Sequence, residues 1–281
     1  MKGNDDVRTA GLGSAPVDAL GALYRGMSAA RQNFLERRRL RGESPQFSAA
    51  FARASFIGGW LSRAEAELLF ELAAAVPPGQ DIVEIGSYLG RSTAFLALGA
   101  GPGRTVHAVD PHTSGRLQLV KGEPIDTSGQ FGRNMADIGV SDHVETHVAR
   151  SVEVAQSYDG RPVGLLFIDG NHSEEAVFAD GREWSVHLAP QCLVAFDDIA
   201  WAGVDKGVAR LVAQGTLPRI DGRVGKIGVC GPPSRWPTRV RTIARPVNAP
   251  GRTQMLLRKY IPFPAPGSFR QPDDRAPEAT A

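Results

Sequence analysis

Three aspartates follow two apolar segments of this chain, where their carboxylates could act together on a cation. Asp169 ends the segment VGLLFID, and Asp197 and Asp198 end the segment CLVAFDD. If the two segments are neighbouring strands, their ends lie about 4.8 Å apart. Three carboxylates at that spacing repel one another unless a proton or a cation relieves the charge. Because oxygen ligands suit hard ions such as Mg²⁺, the pattern predicts a metal site formed by these aspartates.

A second group of residues predicts a turn that binds a charged cofactor. The segment DIVEIGSYLGRST, residues 81–93, is an apolar run followed by Gly86 and Gly90. Glycines let the backbone approach a ligand, and Asp110, at the end of the next apolar run, could accept hydrogen bonds from a ribose diol. A dinucleotide site prefers neutral donors near its pyrophosphate, whereas Glu84 beside this turn favours a cation. The sulfonium and ammonium groups of S-adenosylmethionine therefore fit the local charge better than NAD does.

The elements that must position these residues are predicted by short apolar runs that alternate with helical stretches. Runs that are apolar throughout are typical of strands covered on both faces. We therefore predict an α/β fold with a Rossmann-like, doubly wound, mostly parallel sheet. The segment 219–231 predicts a C-terminal β-hairpin, and Ser62 with Glu65 predicts a capping box. The predicted strands are 81–86, 105–110, 143–148, 163–169 and 192–197, and the predicted helices are 63–75, 91–100, 151–158, 173–188 and 204–214.

The segment VEIGSYLGRST resembles the first motif of class I S-adenosylmethionine-dependent methyltransferases, in particular the catechol O-methyltransferase-like group. The motif of that group has the form E-x-G-x-Y-x-G-x-S, and it is matched by Glu84, Gly86, Tyr88, Gly90 and Ser92. The resemblance implies that these residues bind the cofactor together with Ser87 and Asp110. It also implies an adenine contact for Ser151, although a serine at the start of a helix is equally typical of an N-cap.

The resemblance covers residues 57–231 and includes the three aspartates. In metal-dependent members of the group, an aspartate after the fourth strand and an acidic or Asp-Asn pair after the fifth hold magnesium, and Asp169, Asp197 and Asp198 match those positions. His172 stands where catechol-type enzymes have a lysine base. The segment around it instead resembles a branch with the pattern D-G-x-H-x-x-E-x-V, whose members often modify sugars or secondary metabolites.

His172 is the predicted catalytic base, because an imidazole with a pKa of about 6.5 can accept a hydroxyl proton near neutral pH. Asp169 is the alternative base. The other five histidines are interpreted as structural or solvated. The predicted function is magnesium-dependent methyl transfer from S-adenosylmethionine to a hydroxyl of a small molecule, such as a sugar or a secondary-metabolite diol.

Two alternatives of other classes remain open at this point. A non-haem iron oxygenase could use His172 and Asp169 as ligands, but it needs a second histidine; no other histidine at a strand end is an evident partner, and His112 is the least unfavourable choice. A non-catalytic cofactor-binding or scaffolding protein could use the arginine-rich segment RQNFLERRRLRGES, residues 31–44, as a partner surface.

Composition limits the class of protein. The 281 residues carry a formal net charge of +2, which argues against a nucleic-acid binder. The two cysteines, Cys192 and Cys230, are interpreted as buried thiols. The first residues lack the apolar stretch of a secretory signal, and no run approaches the roughly 18 apolar residues of a membrane span. We therefore expect a cytoplasmic protein without membrane partners.

Composition along the chain predicts a single domain with N- and C-terminal extensions. Residues 1–50 form a basic, partly helical extension that could act as a lid or as a contact in a homo-oligomer. Residues 51–231 form the methyltransferase domain. Residues 232–281, rich in proline and arginine, form a tail that we expect to be partly disordered.

Overall fold

A computed structural model of the protein describes residues 42–113, 119–120, 123–124 and 127–247. Most of the predicted N-terminal extension and the end of the predicted tail lie outside these residues. The chain divides into two compact units, Met1–Ala52 and Arg53–Ala281. All of the predicted site residues belong to the second unit.

An eight-stranded sheet runs through the second unit in the order β8-β6-β7-β5-β4-β1-β2-β3. The five strands from β5 to β3 pair in parallel, whereas β7, β6 and β8 pair antiparallel. The mostly parallel sheet and its C-terminal hairpin confirm the predicted fold class. The strands are β1 (Asp81–Ile85), β2 (Val106–Val109), β3 (Val144–His147), β4 (Val163–Ile168), β5 (Leu188–Phe196), β6 (Ile220–Val224), β7 (Ile227–Cys230) and β8 (Arg245–Pro246).

Helices cover both faces of the sheet because successive strand side chains point to opposite sides. Glu84 of β1 faces one helical layer, and its neighbours Val83 and Ile85 belong to the core cluster under the other. Trp184 and Leu211 belong to the same core cluster and are completely buried. The helices are α1 (Pro45–Ala54), α2 (Arg63–Ala74), α3 (Arg91–Ala100), α4 (Ser128–Asp137), α5 (Ser151–Ser157), α6 (Glu174–Ser185), α7 (Ala202–Ala213) and α8 (Thr238–Ile243).

The start of α2 has the predicted capping box. The Ser62 hydroxyl accepts a hydrogen bond from the Glu65 amide at 3.3 Å, and a Glu65 carboxylate oxygen accepts one from the Ser62 amide at 2.8 Å. An N-cap of this kind contributes about 1 kcal/mol to the stability of a helix. The second oxygen of Glu65 has a further partner, described below.

The boundary between α6 and β5 differs from the prediction. The helix ends at Ser185 and the strand begins at Leu188, although residues 173–188 were predicted as helix and the strand only from 192. The register of β5 against β4 shifts between Val163 and Leu165. Such an irregularity lets a strand accommodate Pro190, which lacks a donor for the ladder.

Part of the predicted tail packs onto the sheet unit. Strand β8 pairs with β6 at the edge of the sheet, and Trp236 and Val240 beside it are buried. Burial of these two apolar side chains explains why this part of the segment is ordered despite its proline content. None of the helices in the described part of the chain has the length and hydropathy of a membrane span.

Candidate active site

The glycine-rich turn joins β1 to α3 at the place where the strand order reverses, between β1 and β4. Gly86 has a φ of +91°, and a Cβ atom there would lie 2.1 Å from the carbonyl oxygen of Asp169. Gly90 has a φ of +87°, and a Cβ there would lie 2.5 Å from the side chain of Met135. Both glycines are therefore required by the packing of the protein itself. Their contact with a cofactor stays a prediction.

Backbone strain in the described residues is concentrated at the carboxyl ends of the strands. Tyr88, His112 and Asp198 are the three non-glycine residues there with positive φ, at 47°, 51° and 47°. The Asp110 carboxylate holds two of them, since it accepts hydrogen bonds from the Tyr88 amide at 2.8 Å and the His112 amide at 2.7 Å. Strain of this kind costs of order 1 kcal/mol per residue and is typical of functional sites.

Glu84 lies completely buried beneath the turn. Burial raises the pKa of its carboxyl to about 7, against the effect of the Ser92 and Thr93 hydroxyls, while the Asp110 charge raises it further. A carboxylate oxygen of Glu84 accepts a hydrogen bond from the Thr93 hydroxyl at the start of α3. The structure therefore shows Glu84 orienting the turn, which is one of the ways in which it could favour a cationic ligand.

Two predicted cofactor serines have different surroundings. The Ser87 hydroxyl is buried at the turn without a hydrogen-bond partner, so it remains available to a ligand. The Ser151 hydroxyl accepts a hydrogen bond from the Trp184 indole at 2.9 Å. Arg150, not Ser151, is the N-cap of α5. The structure thus gives Ser151 a packing role, and its adenine contact stays a prediction.

The predicted acids meet at the ends of β4 and β5. These strands are parallel neighbours, and donor atoms of Asp169, His172 and Asp198 lie within 4.8 Å of one another. The His172 Nε2 atom is 3.7 Å from a carboxylate oxygen of Asp169 and 3.6 Å from one of Asp198. Each of the three side chains keeps 19–28% of its surface exposed, so none of them is fully enclosed by the protein.

Asp197 is placed differently from the other two aspartates. Only 1% of its side-chain surface is exposed, and one of its oxygens forms an ion pair with the Lys226 ammonium group. Its other oxygen, Oδ1, is buried without a hydrogen-bond partner. Lys226 also lies 3.6 Å from the Asp198 carboxylate. The structure therefore pairs Asp197 with a protein cation, and its predicted role as a metal ligand remains untested.

Lys226 was not identified from the sequence. It follows Gly225 in the turn of the β6–β7 hairpin, and its amide donates a 2.8 Å hydrogen bond to the second carboxylate oxygen of Glu65. Gly225 is necessary there because a Cβ atom would lie 2.0 Å from that oxygen. Glu65, which caps α2, thus also fixes the hairpin turn that places Lys226 beside the acids. No local pattern in the sequence predicts the contact of Lys226 with Asp197, because the two residues are 29 positions apart.

Ionisation in the cluster depends on burial and on the close approach of charges. Burial raises the pKa of Asp197 to about 7, and the charge of Asp169 raises it further while Lys226 lowers it. Burial also raises the pKa of Asp198 and of Asp169. Burial lowers the pKa of Lys226, but the Asp197 and Asp169 charges more than offset this, so the ammonium stays charged.

Exposed aromatic side chains surround the acids and the turn. The Trp201 ring lies 4.9 Å from the His172 ring and is 52% exposed. The Trp60 ring lies 5.6 Å from the Tyr88 ring and is 63% exposed. Exposed rings beside a polar cluster could stack against the flat face of a bound acceptor molecule. Trp60 is a further residue that the sequence analysis missed.

The known proteins to which this chain is similar are methyltransferases. A family model described as a methyltransferase domain matches residues 83–199. A catechol O-methyltransferase from Mycobacterium tuberculosis is 27% identical over 167 residues, which cover 58% of this chain and 68% of that protein.

Solved structures share the fold at low identity. A methyltransferase from Podospora anserina has a TM-score of 0.51 at 14% identity, over 74% of this chain and 96% of the other. A Klebsiella pneumoniae protein assigned to the O-methyltransferases has a TM-score of 0.51 at 17% identity, over 72% and 96%. The family match and the sheet order together show a methyltransferase domain with a Rossmann-like fold.

Proposed function

We propose that this enzyme methylates a hydroxyl of a small-molecule diol, such as a sugar or a secondary metabolite, in a magnesium-dependent reaction. The observation that supports the proposal best is the convergence of Asp169, His172 and Asp198 beside the glycine-rich turn. The turn would hold the methyl donor, and the cluster would hold the acceptor hydroxyl next to it.

The charge of the cluster fits a divalent cation. In the described part of the chain, three carboxylates face the Lys226 ammonium group and the His172 imidazole, so the fully ionised cluster keeps a net negative charge. Asp169 and Asp198 would hold the ion, whereas Asp197 is buried and paired with Lys226. When bound, such an ion would lower the pKa of the acceptor hydroxyl and fix its position. Two adjacent hydroxyls would suit it, because Mg²⁺ accepts substrate oxygens as ligands.

In this proposal, His172 would take the proton from the acceptor hydroxyl. Its Nε2 atom has no hydrogen-bond partner among the described residues, and Asp169 and the Asp198 charge raise the pKa of the imidazole against the effect of burial, which strengthens it as a base. The Asp169 and Asp198 carboxylates on either side would stabilise the imidazolium ion that results. The remaining task of the protein is to align oxygen, methyl carbon and sulfur, which supplies much of the acceleration in such reactions.

The metal requirement is tested by turnover after EDTA treatment. We expect activity to disappear and to return on addition of Mg²⁺, and we expect Asp198→Asn to lower the apparent affinity for Mg²⁺. Glu175→Gln, an exposed acid outside the cluster, is the control. Full turnover without metal would refute the metal part of the proposal.

The substrate class is tested by release of S-adenosylhomocysteine. Sugars and catechols with two adjacent hydroxyls would be compared with the same molecules carrying one methoxy group. We expect the free diols to react and the singly methylated molecules to react poorly. Equal rates would show that the second hydroxyl is not recognised.

A further inference from the structure

A second group of metal-ligating side chains lies on strands β2 and β3 and shares no residue with the acidic cluster. His107 of β2 pairs in register with Glu145 of β3, and His147 follows two positions later. Side chains of paired residues, and of residues two apart in a strand, project from the same face of the sheet. One donor atom of each residue lies within 4.8 Å of the others.

The distances between the donor atoms are close to those between neighbouring ligands of one metal ion. The His107 Nδ1 and His147 Nε2 atoms are 3.0 Å apart. A Glu145 oxygen lies 3.7 Å from the first atom, and the other oxygen lies 3.6 Å from the second. These carboxylate contacts are too long for good hydrogen bonds. Ligands about 2.1 Å from a zinc ion lie about 3.0–3.4 Å from each other, which is close to the observed triangle.

The surroundings of His107 favour the tautomer in which its Nδ1 atom has a free lone pair for a metal ion. The opposite ring nitrogen, Nε2, lies 3.4 Å from a carboxylate oxygen of Asp81, which in turn forms an ion pair with Arg161 at 2.6 Å. A carboxylate on that side favours the tautomer with its proton on Nε2, so the Nδ1 lone pair faces Glu145 and His147. Metal-ligating histidines usually have an outer carboxylate of this kind.

A cavity of about 390 Å³ adjoins the three side chains and is lined by them together with residues of α5 and the following loop. It provides an entry path and room for one further ligand. Two imidazoles and one carboxylate, with a fourth position open, are a ligand set used for zinc. Magnesium prefers oxygen ligands, so this group would not compete for the ion proposed at the acidic cluster.

We propose that His107, Glu145 and His147 bind a zinc ion that links β2 to the edge strand β3. The competing interpretation is a hydrogen-bonded histidine pair packed in an aromatic cluster with Tyr158, whose ring lies 5.2 Å from that of His107. That arrangement would bind no metal. Metal binding therefore distinguishes the two, independently of the methyl-transfer reaction.

The test is a titration of the tag-free, metal-stripped enzyme with Co²⁺ in excess Mg²⁺, followed by the visible absorption of the bound ion and by displacement with Zn²⁺. We expect one equivalent with high affinity. Glu145→Gln and His147→Ala should each weaken it by at least about 10-fold. His143→Ala, a histidine outside the group, should leave it unchanged.

Two further readouts decide the result. Zn²⁺ should raise the melting temperature of the wild-type enzyme and of Asp198→Asn, but not that of His147→Ala. Failure of the wild-type enzyme to bind either ion, or equal binding by Glu145→Gln and His147→Ala, would overturn the proposal. Loss of the absorbing site in Asp198→Asn would overturn it as well, because the ion would then belong to the acidic cluster.

Discussion

Replacement of Glu84 by glutamine should stabilise the protein at alkaline pH and have little effect at acid pH. The side chain is completely buried, and its pKa rises from 4.5 to about 7, chiefly because burial penalises the charge. A pKa raised in the folded state means that folding favours the protonated form. The contribution of Glu84 to the free energy of unfolding is therefore fully present below about pH 4.5 and is lost as the pH rises from there through the folded-state pKa of about 7.

The size of the stability difference between the two proteins follows from the size of the pKa change. A pKa difference of about 2.5 at about 1.36 kcal/mol per unit amounts to about 3.4 kcal/mol. Glutamine cannot ionise, and its carbonyl oxygen can still accept the hydrogen bond from Thr93. The free energy of unfolding of Glu84→Gln should thus exceed that of the wild-type protein by up to about 3 kcal/mol near pH 8, and should equal it near pH 4.

Urea unfolding, followed by tryptophan fluorescence at several pH values, measures this difference. The stability difference between the two proteins should grow between about pH 4.5 and 7 and then become constant. Glu175→Gln, in which an exposed acid is changed, should show no such growth. A Glu84→Gln variant that is destabilised equally at low and high pH would refute the reasoning. That result would show that burial does not disfavour the charged form of Glu84 in the folded protein.

Other variants test the remaining parts of the site. His172→Ala should lower kcat about 100-fold with little change in affinity for S-adenosylmethionine, measured by calorimetry; an unimpaired variant would exclude His172 as the base. Lys226→Met should lower the free energy of unfolding by about 3 kcal/mol near pH 8, where Asp197 must either carry an unpaired charge or take up a proton, and by less near pH 5. Equal losses at both pH values would contradict the ion pair. Gly86→Ala should destabilise far more than Gly101→Ala in urea unfolding, since both glycines have positive φ but a Cβ at Gly101 would contact nothing; similar losses would show that the close approach to Asp169 is unimportant.

The parallel sheet and its acidic carboxyl edge were predictable because their signals are local. A strand that is apolar throughout and ends in an acid, as before Asp169 and Asp197, places its acid at the carboxyl edge whatever the rest of the chain does. The glycine turn has a similarly local pattern, and the capping box of Ser62 and Glu65 spans only four residues. These elements therefore agree with the sequence analysis.

Tertiary structure decided which of these residues meet. Lys226 reaches Asp197 because β7 pairs with β5, and the sequence separation of 29 residues contains no pattern that predicts this contact. Likewise, His107 and Glu145 become neighbours through the pairing of β2 with β3.

By itself, the sequence determined the fold class, the glycine-rich turn and the presence of acids at two strand ends, since each depends on residues a few positions apart. Only the tertiary structure decided that Asp197 has a lysine partner while Asp169, His172 and Asp198 remain open to a ligand. The physical reason is that charge and burial at these atoms depend on strands that are distant in sequence and adjacent in space.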